Sequence, residues 1–293
     1  MEIFGVPSAL LGSQLLVGLI NGSFYAILSL GLAIIFGLLN IINFTHGAQY
    51  MMGAFVAWIA LNKLGINYWV ALLFAPIVIG ALGVLIERTM LRKLYKLDHL
   101  YGLLLTFGLA LIFEGIFRDQ YGISGQSYPV PELLQGGVNL GFMFLPIYRG
   151  WVVVAALTVC FATWFVIEKT KLGAYLRAGT ENPQIVQALG INVPLLITFT
   201  YGFGVALAAF AGVLAAPIYQ VSPLMGSNLI IVVFAVVVIG GMGSIMGSIL
   251  TGIGLGLIEG LTRVFYPEAS AVVVFVIMVI VLLVRPAGLF GKA

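Results

Sequence analysis

The chain has 293 residues, of which 62% are hydrophobic and only 8% are charged, and its net charge at pH 7 is +3. Its mean hydropathy of +1.17 excludes a soluble globular protein, because there is too little polar surface to cover one. The few basic residues form no stripe with interleaved aromatic side chains, which argues against nucleic-acid binding. The single cysteine, Cys160, excludes an intramolecular disulfide and a cysteine metal cluster, and we expect it to be a small packing residue.

Continuous apolar runs, without the alternation of a strand, indicate transmembrane helices and not a transmembrane barrel. Crossing the hydrocarbon layer takes about 20 apolar helical residues, because every backbone amide must be hydrogen-bonded within the segment. We therefore predict an all-α, polytopic transmembrane bundle of nine spans, with eight or ten left open, in a single domain over residues 1–293. The predicted spans are 10–39, 48–63, 68–87, 100–117, 147–167, 193–218, 228–240, 244–264 and 270–285.

Basic residues predict the orientation, because short cytoplasmic loops are enriched in Lys and Arg. Nine of them fall on one side of the nine-span arrangement: Arg88, Arg92, Lys93, Lys96, Lys169, Lys171, Arg177, Arg285 and Lys292. Only Lys63, Arg118, Arg149 and Arg263 fall on the other. We therefore expect the N-terminus outside and the C-terminus in the cytoplasm. Because the first residues include Glu2 but no basic residue, we also expect a retained segment and not a cleaved signal peptide.

Residues 42–53 place polar side chains between two apolar runs. These side chains are Asn43, Thr45, His46 and Gln49. Helices broken at membrane depth are tolerated where they face protein or a watery cavity, so one interpretation is the lining of a substrate pathway. The other is an ordinary turn in which Asn43 or Thr45 caps the helix that follows. For His46 we favour a structural hydrogen bond over proton transfer, because the other histidine, His99, lies in a predicted loop.

A second break, residues 217–228, contains Pro217, Pro223 and Gly226 and precedes the short run 228–240. About 13 helical residues reach less than two thirds of the hydrocarbon thickness, so this run could be re-entrant. Such interrupted helices are typical of transporter cores. The glycines that follow at four-residue spacing predict close helix packing. They are Gly252, Gly256 and Gly260.

Two acidic residues inside predicted spans each precede an arginine by four residues, Glu114 before Arg118 and Glu259 before Arg263. This spacing favours ion pairs along one helix face, and we expect the arginines to extend toward the membrane surface. Glu259 is the better candidate for the substrate route, because it follows the glycine-rich break.

Residues 168–192 form the one long run of polar and charged side chains. The expected orientation puts this run in the cytoplasm, where a soluble partner could contact it. The Walker A pattern GxxxxGK[ST] is absent from the sequence, and the glycine-rich residues 240–248 contain no lysine to contact a phosphate. ATP binding by that route is therefore excluded for this chain.

Four segments occur in one order: INFTHGAQYMMGAF, ENPQIVQALGIN, VVVIGGMGSIMGSILTGIGLGLIEG and VLLVRPAGLFG. Together they resemble the LivH-type permeases of branched-chain amino acid ABC importers, over almost the whole chain. The resemblance implies a multi-pass permease of the bacterial inner (plasma) membrane that moves branched-chain or similar small amino acids by alternating access. The implied partners are a second, LivM-like permease, two cytoplasmic ATP-binding subunits and an extracytoplasmic binding protein. No cofactor is expected on this chain, since ATP and Mg would be held by the ATPases.

The resemblance also implies that a short coupling helix in the polar run docks on an ATPase. The matching positions are Arg177, Glu181, Asn182, Pro183, Ala188 and Gly190. Ile185 stands where such permeases commonly have a small residue. A zwitterionic amino acid needs amides and hydroxyls with few fixed charges along its route. The side chains that meet this need, and that equally suit helix packing, are Gln14, Asn21, Ser23, Asn43, Thr45 and Gln49. His46 and Glu259 are further candidates for the substrate pathway.

Several alternatives stay open from the sequence. The substrate could be another amide, urea or an aromatic carboxylate. A secondary transporter or channel that works without ATP is the next alternative, although proton coupling usually leaves unpaired carboxylates in the membrane. A membrane enzyme is disfavoured, because the sequence has no HExxH motif and no nucleophile motif.

Overall fold

The computed structural model describes residues 2–3, 6–39, 42–95 and 97–291. Lys96 and Lys292, which contribute to the predicted orientation, lie outside the described residues. The helices are α1 (Ser8–Leu39), α2 (Thr45–Leu64), α3 (Tyr68–Thr89), α4 (His99–Tyr121), α5 (Ile147–Lys169), α6 (Lys171–Glu181), α7 (Pro183–Ala188), α8 (Val193–Ala215), α9 (Met225–Gly240), α10 (Ile245–Phe265) and α11 (Val273–Val284). Two antiparallel hairpins pair β1 (Glu2–Ile3) with β2 (Val6–Pro7) and β3 (Gly137–Asn139) with β4 (Phe144–Pro146).

Each of the nine predicted apolar segments coincides with a helix, and the all-α membrane fold is confirmed. Six helices in the described ranges are long and apolar enough to cross a membrane: α1, α3, α4, α5, α8 and α10. With 16 and 12 residues, α9 and α11 extend only about 24 and 18 Å, less than the hydrocarbon thickness of about 30 Å. Helix α2 has 20 residues but opens with the polar sequence THGAQY. The count of nine spans is therefore not confirmed.

Side-chain caps and one left-handed glycine define several helix ends. Asn67 accepts a hydrogen bond from the amide of Val70 at 3.0 Å and so starts α3. Ser244 accepts one from the amide of Gly247 at 3.1 Å and starts α10. These caps satisfy amides that lack a partner in the first helical turn. Helix α2 ends at Gly65, whose φ of 64° suits glycine.

The residue contacts divide the chain into two compact units. The first unit comprises Met1–Ser29, Pro129–Cys160 and Val232–Ala293. The second comprises Leu30–Tyr128 and Phe161–Ile231. Each unit is assembled from segments that are far apart in the sequence, so helix packing in the membrane must bring these segments together.

In the first unit, α10 packs backbone to backbone on the first half of α1. A Cβ atom on Gly256 would lie 2.4 Å from the Gly18 carbonyl oxygen and from the Gly22 Cα. One on Gly260 would lie 2.4 Å from the carbonyl oxygen of Gln14. The predicted role of the α10 glycines in close packing is confirmed, because only glycine permits this approach.

In the second unit, α8 packs against both α2 and α3. A Cβ atom on Gly53 of α2 would lie 2.4 Å from the carbonyl oxygen of Ala209. On the side of α3, a Cβ atom on Gly80 would lie 3.1 Å from the carbonyl oxygen of Gly202. Small residues thus bring the three backbones together, and the polar side chains described next lie among these helices.

Candidate functional site

Three side chains at the start of α2, Asn43, Thr45 and Gln49, hydrogen-bond to one another, and we call them the polar ring. Asn43 Nδ2 donates to Gln49 Oε1 at 3.1 Å, and Gln49 Nε2 donates to Thr45 Oγ1 at 3.1 Å. The hydroxyl of Thr45 donates to Asn43 Oδ1. The Tyr201 hydroxyl of α8 lies next to Thr45 and Gln49. All members are buried, and their mutual hydrogen bonds offset the cost of removing them from water.

Of the two interpretations of this break, the one in which Asn43 or Thr45 caps the next helix is wrong. Helix α2 begins at Thr45, its N-cap is Phe44, and no side chain forms a capping hydrogen bond there. The preceding residues are held by Thr106 of α4, whose hydroxyl donates to the carbonyl of Ile42 at 3.0 Å and accepts from the Phe44 amide at 3.2 Å. The break is thus buried inside the second unit and is not an exposed turn. Asn43 and Thr45 do not cap α2, because their side chains bond to each other and to Gln49.

His46 lies beside the ring and is fully buried. A Cβ atom on Gly31 of α1 would lie 3.0 Å from the Cε1 atom of His46, so the imidazole fills the space that this glycine leaves. This close packing favours the structural interpretation of His46 over proton transfer, since a proton carrier needs a route to water.

Glu87, near the end of α3, is a fully buried carboxylate that the sequence analysis did not single out. The Tyr95 hydroxyl donates to its Oε1 at 2.8 Å, and the Thr198 hydroxyl donates to its Oε2 at 2.6 Å. Within the described residues Glu87 forms no ion pair. Burial and, after it, the hydrogen bond to Glu87 raise the pKa of Tyr95, so its hydroxyl stays protonated and continues to donate.

The spacing of two glycines and Glu87 along α3 could have indicated that Glu87 is buried. Gly80, Gly83 and Glu87 follow one another at intervals of three and four residues, so they share one helix face. The two glycines contact α8 closely, with a Gly83 Cβ atom only 2.9 Å from the Val205 side chain. A carboxylate in register with packing glycines is therefore expected to face the neighbouring helix and not the membrane surface.

A pocket lies next to the start of α2 in the second unit. Phe44, Phe107 and Ile230 provide apolar walls, and Glu114 contributes a carboxylate. Arg118 donates to Glu114 at 2.7 Å, which confirms the predicted pair at four-residue spacing. The pocket therefore has mainly apolar walls, and its one carboxylate already has a cationic partner.

In the first unit, Glu259 is the buried carboxylate that the sequence analysis favoured for the substrate route. It forms the predicted ion pair with Arg263, and its Oε2 accepts a hydrogen bond from the Tyr25 hydroxyl at 2.8 Å. Gln14 and Asn21 lie half-buried on α1 in the same unit. The structure thus assigns these three candidates to the first unit and the polar ring with His46 to the second.

The polar run 168–192 folds into α6 and α7. Arg177 of α6 donates from Nη1 to the carbonyl of Ile167 at 3.0 Å and to Glu168 Oε2 at 3.5 Å. A Cβ atom on Gly173 would lie 1.6 Å from the carbonyl oxygen of Ile167, so α6 lies directly against the end of α5. Arg177 therefore has a structural bond that holds α6 in place.

Helix α7 is short because its two ends are specified by sequence. Asn182 accepts a hydrogen bond from the amide of Ile185 at 3.2 Å, Pro183 occupies the first turn, and Gly190 follows with a φ of 82°. Asn and Pro are favoured at helix starts and left-handed glycine at helix ends. Glu181 and Ala188 are both exposed.

An apolar surface projects from this short helix. Ile185 is 60% exposed and Leu189 is 75% exposed, whereas Val186 between them is buried. We call Ile185 and Leu189 the exposed apolar pair. Large apolar side chains that are exposed next to each other in a polar segment are typical of a protein contact surface.

The long apolar helices and the polar side chains buried among them define a multi-pass helical membrane protein. Within that class, the sequence family described as "Branched-chain amino acid transport system / permease component" matches residues 14–282. The chain belongs to this family, as its resemblance to LivH-type permeases predicted.

Curated relatives extend over nearly the whole chain. It is 33% identical to the high-affinity branched-chain amino acid transport system permease protein BraD of Pseudomonas aeruginosa, over 95% of each protein. It is 30% identical to the LivH permease protein of Salmonella typhimurium, again over 95% of each. The LivM permease protein of that organism is 28% identical over 90% of this chain and 67% of its own length. No solved structure matches the chain significantly.

Proposed function

We propose that this chain is a transmembrane permease subunit of an ATP-binding-cassette importer and forms the translocation pathway for branched-chain or similar small amino acids. Membership of the permease family over residues 14–282 carries this proposal. The relatives BraD and LivH, which are named for high-affinity branched-chain amino acid transport, support the substrate class. The chain itself is not an enzyme, and ATP hydrolysis takes place on partner subunits.

The complex contains a second, LivM-like permease, two cytoplasmic ATP-binding subunits and an extracytoplasmic binding protein. Salmonella typhimurium has relatives named LivH and LivM, and both are similar to this chain over most of its length. Two related permeases in one organism support a pair of similar membrane subunits. The complex lies in the bacterial inner membrane, with the N-terminus outside and the C-terminus in the cytoplasm.

Helix α7 is the coupling helix in this proposal. Its exposed apolar pair, Ile185 and Leu189, inserts into a groove of one ATPase, while the Asn182 cap keeps α7 folded. ATP and Mg are bound by the ATPases, and closing of the ATPases moves α7. The membrane helices then change conformation, because ATP binds one state of the complex more tightly than the other.

The second unit provides the chemistry that a branched-chain amino acid requires. Phe44, Phe107 and Ile230 would contact the aliphatic side chain of the substrate, while Glu114 stays paired with Arg118. When the polar ring opens during alternating access, its amides and hydroxyl offer hydrogen bonds without a fixed charge. A zwitterion could then pass without being held by a strong ion pair.

Reconstitution tests the proposal. The chain is co-expressed with a LivM-like permease, two ATPases and a binding protein, and the purified complex is placed in vesicles for uptake of radiolabelled leucine. We expect uptake only with both ATP and the binding protein, and none with a non-hydrolysable ATP analogue. Uptake by this chain alone would indicate a secondary transporter or channel. Stronger competition by urea, other amides or aromatic carboxylates than by isoleucine and valine would reassign the substrate.

A further inference from the structure

We propose that Glu87, together with Tyr95 and Thr198, forms a junction that transmits movement from the coupling helix to α4. We call these three residues the Glu87 junction. Glu87 acts in it as a positioning residue, because its described hydrogen bonds connect it to Tyr95 and Thr198. This inference rests on the proposed function, because it assigns a path for the movement that ATP binding starts.

The first part of the path is short and continuous. Helix α7 is followed after four residues by α8, whose first turn is capped by Asn192 through a hydrogen bond from the Leu195 amide at 3.1 Å. Thr198 lies five residues beyond the first residue of α8, about 7.5 Å along the helix axis. A helix transmits displacement along its axis, so a shift of α7 reaches the Thr198 hydroxyl.

The second part passes through the carboxylate. Glu87 Oε2 accepts from Thr198 of α8, and Oε1 accepts from Tyr95, which follows α3. Because Glu87 is fully buried and forms no ion pair within the described residues, losing either hydroxyl would leave a carboxyl oxygen without a hydrogen bond and without access to water. Glu87 therefore resists any movement that separates Thr198 from Tyr95.

The third part leads from Tyr95 to the pocket. Three residues after Tyr95, Asp98 caps α4 by accepting a hydrogen bond from the Leu100 amide at 2.9 Å. Helix α4 then contributes Phe107 and Glu114 to the pocket wall. A shift of Tyr95 would thus be passed to a helix that lines the pocket.

A role in packing alone would not require a carboxylate at this position. Helices α3 and α8 already pack closely through Gly80 and Gly202, and an apolar side chain could fill the same space without the cost of burying a carboxyl group. The carboxylate attaches both α8, through Thr198, and the segment before α4, through Tyr95, to α3. This attachment is useful where α8 and the segment before α4 must move together.

The test removes one hydroxyl at a time from the reconstituted complex. Tyr95→Phe and Thr198→Val each delete one donor, and Glu87→Gln keeps the shape but replaces one carboxyl oxygen, an acceptor, with an amide nitrogen, a donor. Matched controls are Tyr101→Phe, whose exposed hydroxyl has no hydrogen bond in the described residues, and Thr200→Val, whose hydroxyl bonds only to the Leu196 carbonyl of its own helix. We expect the three junction variants to lower the leucine imported per ATP hydrolysed by about threefold or more, and the controls to leave it unchanged.

A second measurement separates transmission from a merely structural role. Hydrogen exchange of the peptide covering 90–98 is compared between the resting complex and the complex trapped with ATP. We expect trapping to change this exchange in the wild-type protein but not in Thr198→Val. Two results would overturn the junction. One is a parallel fall of uptake, ATP hydrolysis and melting temperature in the variants. The other is a wild-type ratio of leucine imported to ATP hydrolysed in all three variants. A wild-type complex without ATP-driven uptake would instead refute the proposed function.

Discussion

Tyr25 and Glu259, which are 234 positions apart in the sequence, are joined by a buried hydrogen bond of 2.8 Å from the Tyr25 hydroxyl to Glu259 Oε2. Arg263 pairs with the other oxygen of the same carboxylate. The bond connects the two helices whose backbones also meet at Gly18 and Gly256. In the first unit, glycine contact and a charge-assisted hydrogen bond thus hold α1 and α10 together.

We expect Tyr25→Phe to destabilise the protein by about 1.5 to 3 kcal/mol, because a hydrogen bond to a buried charged group is lost. The melting temperature of the detergent-purified chain should fall by several degrees. Tyr266→Phe, at an exposed tyrosine, is the matched control and should melt like the wild-type protein. Equal melting temperatures for both variants would show that the Tyr25 bond contributes nothing to stability.

Gly256→Leu should prevent assembly of α10 on α1. Its side chain would begin 2.4 Å from backbone atoms of Gly18 and Gly22, and backbone cannot rearrange as a flexible side chain can. We expect a cost above about 3 kcal/mol, seen as loss of the monodisperse peak in size-exclusion chromatography. Gly254→Leu, where no atom lies within 4 Å of the added Cβ, should retain that peak. A monodisperse Gly256→Leu protein would contradict the packing.

Local spacing predicted some of these features well. The glycines of α10 and the pairs Glu114 with Arg118 and Glu259 with Arg263 depend on residues three or four positions apart, and helix geometry alone brings these together. Tyr25 could not be predicted as a partner of Glu259, because that bond depends on how two distant helices pack. The fold class followed from hydropathy, but the number of spans did not, since α9 and α11 are too short for a simple length rule.

The polar residues near Asn43 show a second kind of feature that local sequence patterns do not predict. Local propensity favours Asn43 or Thr45 as a helix cap, but the side chains bond within the polar ring instead. Glu87 was missed because the predicted span ended at this residue, which suggested a location at the membrane surface. The spacing of Gly80, Gly83 and Glu87 could have indicated its burial, but its bond to Thr198, 111 positions away, depends on how α3 and α8 pack.

The exposed apolar pair gives a prediction about ATPase binding. Ile185→Ser and Leu189→Ser should each weaken binding of the ATPase by about 1.5 to 3 kcal/mol, the value of burying one large aliphatic side chain. The melting temperature of the isolated chain should not change, because both side chains are exposed there. Val186→Ser is the contrasting variant and should destabilise the α7 segment, since Val186 is buried. Unchanged affinity in pull-down titrations of both exposed variants would exclude this face as the docking surface.

The polar ring gives the last prediction, which separates a substrate pathway from simple packing. In a Cys160→Ala background, which removes the chain's only cysteine, Gln49→Cys carries a single thiol for labelling with a water-soluble maleimide. Gln49 is only 1% exposed in this structure, so we expect slow labelling in the resting complex. If a minor open state is populated at about 10% or less, ATP turnover that makes it the main state should raise the labelling rate about tenfold.

Ser227→Cys, at an exposed residue of the pocket, is the control and should react at a similar rate in both conditions. Bound leucine should slow the reaction of the Gln49→Cys thiol during turnover if the ring contacts the substrate. A thiol at position 49 that stays unreactive in every state, while the one at position 227 reacts, would assign the ring to packing. The pathway would then have to lie along other residues, with Gln14, Asn21 and Glu259 of the first unit as the next to test by the same labelling.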